Sequence, residues 1–122
     1  MAENILLDKS FSFAKRIVLL TKELVEVRNE RILSKQLLRS GTAIGALVRE
    51  AVYAQSKADF VNKLSISLKE SYETEYWIML LKETDYINPK VAEKLIDDNK
   101  ELMRILISSI NTVKTKLKEK KY

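Results

Sequence analysis

The stretch LLRSGTAIGALVREA, residues 37–51, contains both glycines of a 122-residue chain, Gly41 and Gly45. Around them, apolar residues recur at the 3.6-residue spacing of a helix. Two glycines in a helix interior cost about 2 kcal/mol of stability relative to two alanines. A closely packed neighbouring helix would offset that cost, because a missing side chain lets another group approach. We therefore predict that both glycines lie on the packed side of a helix, with an adjoining ligand cavity as the alternative.

The composition favours a few long helices. Two Gly and one Pro leave few positions for turns, and 46% hydrophobic with 32% charged residues is typical of a globular chain. We expect one domain over residues 1–122, with a Lys-rich end from about residue 114. Hydrophobic periodicity predicts helices over residues 8–29, 34–54, 57–83 and 89–118. Their short connections predict an all-α, antiparallel up-down-up-down four-helix bundle.

Each predicted helix has an apolar stripe that we expect to face the core. In chain order the stripes are Phe13, Ile17, Leu20 and Leu24; Leu37, Gly41, Ile44, Val48 and Val52; Val61, Leu64, Leu68, Tyr72 and Met79; and Leu95, Leu102, Leu106, Ile110, Val113 and Leu117. Glu75 and Asn99 also fall on core-facing positions. Buried polar groups need hydrogen-bond partners, so we interpret both as contacts that set the helix register, in preference to a catalytic acid.

The third predicted helix also has large side chains opposite its apolar stripe. They are Ile66, Glu70, Glu73, Trp77 and Leu81. The outward face of the second helix consists of Arg39, Ala43, Ala46 and Glu50. Apolar side chains of this size on an outer face indicate a partner surface. We predict that the two faces form a self-association surface with charges paired across it. The alternative is a third helix covered on both sides within one chain.

The residue inventory excludes several kinds of chemistry. The chain has no Cys and no His, and therefore lacks disulfides, thiolates, the commonest general base and the commonest transition-metal ligand. A di-metal site in a bundle requires Glu-x-x-His pairs, whereas ESYETEY, residues 70–76, offers carboxylates alone. We predict no catalytic, cofactor or metal site, and hence a protein that is not an enzyme.

The sequence also predicts a cytoplasmic protein without membrane contact. No apolar run approaches the roughly 20 residues of a membrane span. The N-terminal stretch MAENILLDKSF lacks the basic segment and the long apolar segment of a signal peptide.

Basic residues concentrate in two places within a net charge of +5. Residues 31–49 contain four basic residues and no acid, and residues 114–122 contain five lysines against one glutamate. For the tail we favour a solvated helix end whose lysines complement the helix dipole, and the alternative, which also applies to residues 31–49, is a nucleic-acid contact. The candidate residues are Arg31, Lys35, Arg39, Arg49, Lys114, Lys116, Lys118, Lys120 and Lys121.

Three segments carry a resemblance to a known family: SKQLLRSGTAIGALVREA (34–51), SKADFVNKLSISLKE (56–70) and ETEYWIMLLKETDYI (73–87). They resemble the bacterial four-helix-bundle proteins encoded in intervening sequences of 23S rRNA genes, often labelled ribosomal proteins. A distant relative is the accessory protein of diversity-generating retroelements, which binds nucleic acid and a reverse transcriptase. The resemblance implies an antiparallel bundle, a homopentameric ring and an RNA-related role. Leu47 stands where such proteins often have asparagine.

Two hypotheses follow for function. The first is a non-enzymatic, self-associating bundle that binds RNA or DNA through its basic patches. The alternative is a protein-interaction scaffold without a nucleic-acid role. The charge distribution favours the first, and the outward apolar stripe is compatible with both.

Overall fold

The computed structural model describes residues 2–119 of the chain. Four α-helices occupy this range: α1 (Ala2–Glu26), α2 (Leu33–Val52), α3 (Lys57–Glu83) and α4 (Pro89–Glu119). Each helix packs against two neighbours, so that α1 and α3 both contact α2 and α4. Short connections make consecutive helices antiparallel. The predicted all-α four-helix bundle is therefore confirmed.

Side-chain caps define the starts of the last two helices, and the predicted bounds of α3 are confirmed. Ser56 Oγ accepts a hydrogen bond from the Asp59 amide at 3.0 Å. Asn88 Oδ1 accepts one from the Lys90 amide at 2.8 Å. Each cap satisfies an N–H group that has no partner within its helix. Pro89 occupies the first helical position of α4, where its missing N–H leaves no hydrogen bond unmade.

The first helix is displaced relative to the prediction. It begins at Ala2 instead of residue 8, and it ends at Glu26 instead of residue 29. The earlier start places Leu6 one heptad before Phe13, so both extend the same buried stripe. The earlier end follows from Asn29, whose φ of 56° lies in the left-handed region. That conformation is incompatible with continuation of a right-handed helix.

Arg28 ties together two connections at one end of the bundle. Its Nη2 donates a hydrogen bond to the Asp85 carbonyl at 3.0 Å, and its Nη1 donates to the Tyr86 carbonyl at 3.3 Å. The guanidinium also lies 5.2 Å from the centroid of the Tyr86 ring, within cation–π range. A side chain from the α1–α2 connection thus holds the backbone of the α3–α4 connection.

The predicted stripes of α1, α2 and α4 form most of the core. Ile17, Leu37, Ile44 and Leu106 are completely buried. The prediction is wrong for Val52, which is 43% exposed. The reason is that α2 ends at this residue instead of at residue 54, so no further turn covers its side chain.

The core face of α3 differs from the predicted stripe. Tyr72 and Met79 are 53% and 49% exposed, so their assignment to the core is wrong. Val61 and Leu68 are partly buried at the edge of the core. On the face that is buried, three small hydroxyl residues lie between aliphatic residues: Leu64, Ser67, Ser71, Thr74, Ile78 and Leu81. Hydrophobic periodicity counts serine and threonine as polar, so it predicts the buried Leu64 correctly but misassigns Tyr72 and Met79.

Hydrogen bonds explain the burial of two of these three hydroxyls, whereas Ser71 Oγ has no hydrogen-bond partner within residues 2–119. Ser67 Oγ donates to the Ile44 carbonyl of α2 at 2.9 Å. Thr74 Oγ1 lies 3.0 Å from Ser40 Oγ of α2 and 2.8 Å from the Glu70 carbonyl of its own helix. Buried polar groups are tolerated when they are paired in this way. The α2–α3 contact is consequently made by short side chains that bond across it.

Asn99 is buried in the core, as predicted, whereas Glu75 is not. Asn99 Nδ2 donates to the Ser71 carbonyl at 2.8 Å and so links α4 to α3. Glu75 is partly exposed, and its predicted role as a core contact is wrong. Because Ser71 and Thr74 occupy the buried side of α3, Glu75 lies outside the core.

The two glycines mark the closest approach of α1 and α2, which confirms the predicted packing role. A Cβ atom on Gly41 would lie 2.8 Å from Cγ2 of Ile17, closer than carbon atoms pack. A Cβ atom on Gly45 would lie 3.3 Å from both the carbonyl oxygen and the hydroxyl of Ser10. Both glycines therefore create space that α1 fills.

Replacement of Gly41 is expected to separate the two helices. Gly41→Ala gains about 1 kcal/mol of helix propensity but must displace the buried side chain of Ile17, so we expect no net stabilisation. Gly41→Leu should lower the free energy of unfolding by about 3 kcal/mol through overpacking. Urea denaturation followed by circular dichroism measures both effects. Gln36→Leu adds the same side chain at an exposed position of the same helix, serves as control and should stay within about 0.5 kcal/mol of wild type. A Gly41→Leu variant as stable as wild type would contradict this account.

Candidate interaction surfaces

Three of the four basic residues predicted in residues 31–49 lie along the outer groove between α1 and α2. Arg31 and Lys35 line a depression of about 370 Å³, together with Lys22 of α1. Arg49 lines a second depression of about 310 Å³, further along the same pair of helices. None of these four cations makes an ion pair within residues 2–119. Glu26 is the one carboxylate that lines either depression.

Apolar side chains lie between these cations. Val18 and Leu38 are exposed at the first depression, and Phe11 is 57% exposed at the second. Ala14 and Ala46 line the second depression beside Phe11. The combined surface is called the α1–α2 face below: Phe11, Ala14, Val18, Lys22, Arg31, Lys35, Leu38, Ala46 and Arg49.

Arg39 lines neither depression, because its guanidinium pairs with carboxylates of α3. Its Nη1 donates to Glu70 at 2.8 Å, and its Nη2 donates to Glu73. These hydrogen bonds raise the pKa of Arg39. Glu73 also accepts a hydrogen bond from Trp77 Nε1 at 3.0 Å. The charges that were expected to be available for pairing across a self-association surface therefore pair with each other within one chain.

The rest of the predicted self-association surface is largely used inside the bundle. Leu81 is completely buried, and its assignment to an outer face is wrong. Trp77 is partly buried against the core, and Glu50 lies 3.5 Å from Lys63 in an ion pair between α2 and α3. Ala43 is partly buried. Of the predicted α3 residues, Ile66 keeps the most exposed apolar side chain.

A second apolar surface lies on the other side of α3, where the sequence predicted core. Tyr72, Tyr76 and Met79 follow one another at spacings of four and three residues and are all exposed. Ile107 is exposed on α4. The three exposed residues of α3, Tyr72, Tyr76 and Met79, are called the α3–α4 face. The sequence shows this spacing, but hydrophobic periodicity assigns it to the core because it counts the serine and threonine residues that fill the core as polar.

The structure places some of the predicted C-terminal lysines near the other predicted basic residues. Lys116 lines a depression of about 500 Å³ at one end of the bundle. Leu7 lines this depression and also the one that contains Arg49, so the two adjoin. Lys114 and Lys118 are exposed on α4. Lys120 and Lys121 lie outside the residues that the structure describes.

Ion pairs cross three of the four grooves between adjacent helices. Lys9 and Glu101 join α1 to α4, Arg39 joins α2 to α3 through two carboxylates, and Lys82 and Glu93 join α3 to α4. Over residues 2–119, no ion pair crosses the α1–α2 groove. The α1–α2 groove is therefore lined by cations that make no ion pair within residues 2–119.

Residues 2–119 contain no group of three or more acidic side chains arranged to hold a metal ion. None of the four helices in that range combines the length and apolarity needed to cross a membrane.

Residues 2–108 match the family described as 23S rRNA-intervening sequence protein. The chain belongs to this family. A crystal structure of a protein with unknown function from the S23 ribosomal protein family of Bacteroides thetaiotaomicron VPI-5482 is similar to this 23S rRNA-intervening sequence protein, with 53% sequence identity and a TM-score of 0.89. The similarity covers 91% of this chain and 99% of that one. No curated protein matches the chain. The resemblance inferred from the sequence is confirmed, and neither description names a catalytic activity.

Two carboxylates make the stability of this 23S rRNA-intervening sequence protein depend on pH. Hydrogen bonds from Trp77 and Arg39 lower the pKa of Glu73. Burial alone would raise the pKa of Asp98, but hydrogen bonds from Lys94 and Arg16 outweigh burial and lower it. A carboxylate with a lowered pKa stabilises the fold above its unfolded pKa, and this contribution is lost as the pH falls through the folded value.

We expect the free energy of unfolding to fall between about pH 5 and pH 3. Glu73→Gln should flatten this decline, as measured by urea denaturation at a series of pH values. Glu83→Gln is the control, because Glu83 is exposed at the end of the same helix and makes no ion pair within residues 2–119. Identical pH profiles for Glu73→Gln and wild type would contradict the assignment.

Proposed function

We propose that this 23S rRNA-intervening sequence protein is a non-enzymatic, self-associating cytoplasmic protein that binds RNA through its α1–α2 face. The observation that carries the proposal is the unequal distribution of ion pairs. Lys22, Arg31, Lys35 and Arg49 lie along the groove that no ion pair crosses. Unpaired cations along one face attract the phosphates of a nucleic acid.

The surroundings of these cations support the same conclusion. Glu70 and Glu73 are held by Arg39, away from the α1–α2 face. Residues 31–49 supply no acid of their own. Phosphate binding at this face would therefore replace no existing ion pair within residues 2–119, whereas at the other grooves it would compete with carboxylates. The family's description as a 23S rRNA-intervening sequence protein favours RNA as the polyanion.

Self-association is proposed through the α3–α4 face. Tyrosine and methionine are enriched in protein interfaces, and Tyr72, Tyr76 and Met79 expose their side chains on one side of α3. A homopentamer is the assembly that the family resemblance implies. Because α1 and α2 do not form this face, association would leave the basic groove free and multiply it by the number of copies.

The second candidate is a protein-interaction scaffold without a nucleic-acid role. The same exposed residues, Tyr72, Tyr76, Met79 and Ile107, favour it, because another protein could cover them instead of a second copy. This candidate differs from the first in two measurable respects. It predicts a monomeric chain in isolation and no affinity for RNA.

RNA binding should depend strongly on salt and on the α1–α2 face. The triple variant Arg31→Gln, Lys35→Gln and Arg49→Gln should lower affinity for a fluorescent RNA at least about tenfold at low salt. It should also reduce the slope of log affinity against log salt by about 0.7–0.9 per lost phosphate contact. Fluorescence anisotropy titrations at several salt concentrations measure both quantities.

The matched control has the same change of charge on α4. Lys90→Gln, Lys100→Gln and Arg104→Gln remove three exposed cations that are not part of the α1–α2 face, and should leave affinity within about threefold of wild type. Equal losses in the two triple variants would show that only net charge matters. No binding by wild type at about 10 μM protein and 50 mM salt would refute RNA binding.

Self-association should give a solution mass of several times 14.1 kDa. Light scattering at about 50 μM measures this mass at a concentration at which weak assemblies form. Tyr72→Lys combined with Met79→Lys places two like charges on the α3–α4 face of each copy and should yield monomers with unchanged helix content. Leu19→Lys, at an exposed position of α1, is the control and should keep the wild-type mass. A wild-type mass of 14.1 kDa would exclude self-association under these conditions.

A further inference from the structure

Phe11 is an exposed aromatic side chain on a basic surface. Its ring is 57% exposed, and the Lys15 ammonium lies 5.6 Å from the ring centroid. Arg49 lines the same depression as Phe11. An aromatic ring with cations beside it can stack against a nucleic-acid base while the cations bind the neighbouring phosphates. Phe11 thus offers a type of contact that phosphate attraction alone does not require.

The apolar surface continues from Phe11 along the groove. Val18 and Leu38 are exposed further along it, and the small side chains of Ala14 and Ala46 leave the depression beside Phe11 open. A duplex keeps its bases stacked inside and would present mainly charged phosphates to these apolar groups. The phosphates would lose hydrating water there and gain no hydrogen bond or ion pair in its place. A single strand can turn its bases toward the apolar groups and its phosphates toward the cations.

The length of the groove fits a short single-stranded segment. Lys35 and Arg49 are both on α2 and are separated by about 21 Å along the helix axis, at about 1.5 Å per residue. One strand with stacked bases carries a phosphate about every 3.4 Å, so this distance spans about six nucleotides. Cations at the two ends and apolar groups between them match a strand of that size.

We propose that the α1–α2 face binds single-stranded RNA in preference to duplex RNA, with one base stacked on Phe11. This inference rests on the proposed function and deepens it by naming the class of RNA and the aromatic contact. In this arrangement Lys15, Lys35 and Arg49 bind phosphates, whereas Phe11 distinguishes an accessible base from a paired one.

The test compares one RNA sequence of about 20 nucleotides as a single strand and as a duplex, by anisotropy at fixed salt. The single strand is expected to bind at least about tenfold more tightly. Phe11→Ala should weaken single-strand binding by about 5-fold to 100-fold, the range for loss of one stacked base. Its duplex affinity and its salt slope should remain close to wild type, because no cation is lost.

Two further variants separate stacking from general effects on the surface. Phe11→Tyr keeps an aromatic ring and should retain single-strand affinity. Leu19→Ala removes an exposed apolar side chain elsewhere on α1 and should change neither affinity. Equal wild-type affinities for the two RNA forms, or a Phe11→Ala variant that binds single strands normally, would overturn this inference and leave RNA binding intact. Failure of wild type to bind either form would overturn both proposals.

Discussion

The contact between Gly41 and Ile17 fixes the rotation of α2 about its axis, and much of the surface follows from that rotation. A Cβ atom at Gly41 would come within 2.8 Å of Ile17, so this position must face α1. Ser40, the preceding residue, then faces α3, where its hydroxyl contacts Thr74. The same rotation places Arg39 next to the carboxylates of Glu70 and Glu73 on α3. The packing of one glycine thus determines which arginine forms ion pairs inside the bundle and which basic residues remain free.

The second determinant is the choice of short hydroxyl side chains for the core face of α3. Ser67 and Thr74 are buried because each bonds to a neighbouring group of α2 or of its own helix. With these small residues inside, the larger Tyr72 and Met79 lie outside. The rotation of α3 about its axis therefore has two consequences: the buried face of the helix is partly polar, and its exposed face is partly apolar.

The sequence predicts those features that depend on hydrophobic periodicity or on single-residue backbone preferences. The stripe through Ile17 and the close approach at Gly41 belong to this class, as does the helix start at Pro89. The buried face of α3 does not, because a hydroxyl such as that of Ser67 is acceptable in a core only when a specific carbonyl is near. Arg39 was assigned to an intermolecular surface for a related reason: a short sequence pattern shows its charge but not the relative rotation of α2 and α3.

Within residues 2–119, ion pairs cross three grooves of the bundle, whereas cations without an ion pair line the fourth. A neutralised surface has little field beyond the screening length of about 8 Å in physiological salt, whereas a row of free cations projects further. In the proposed RNA-binding function, the cations of the α1–α2 face would attract a polyanion before contact and turn that face toward it. In this way the pattern of ion pairs within the chain would orient the protein during its encounter with the polyanion, before any base or phosphate is bound.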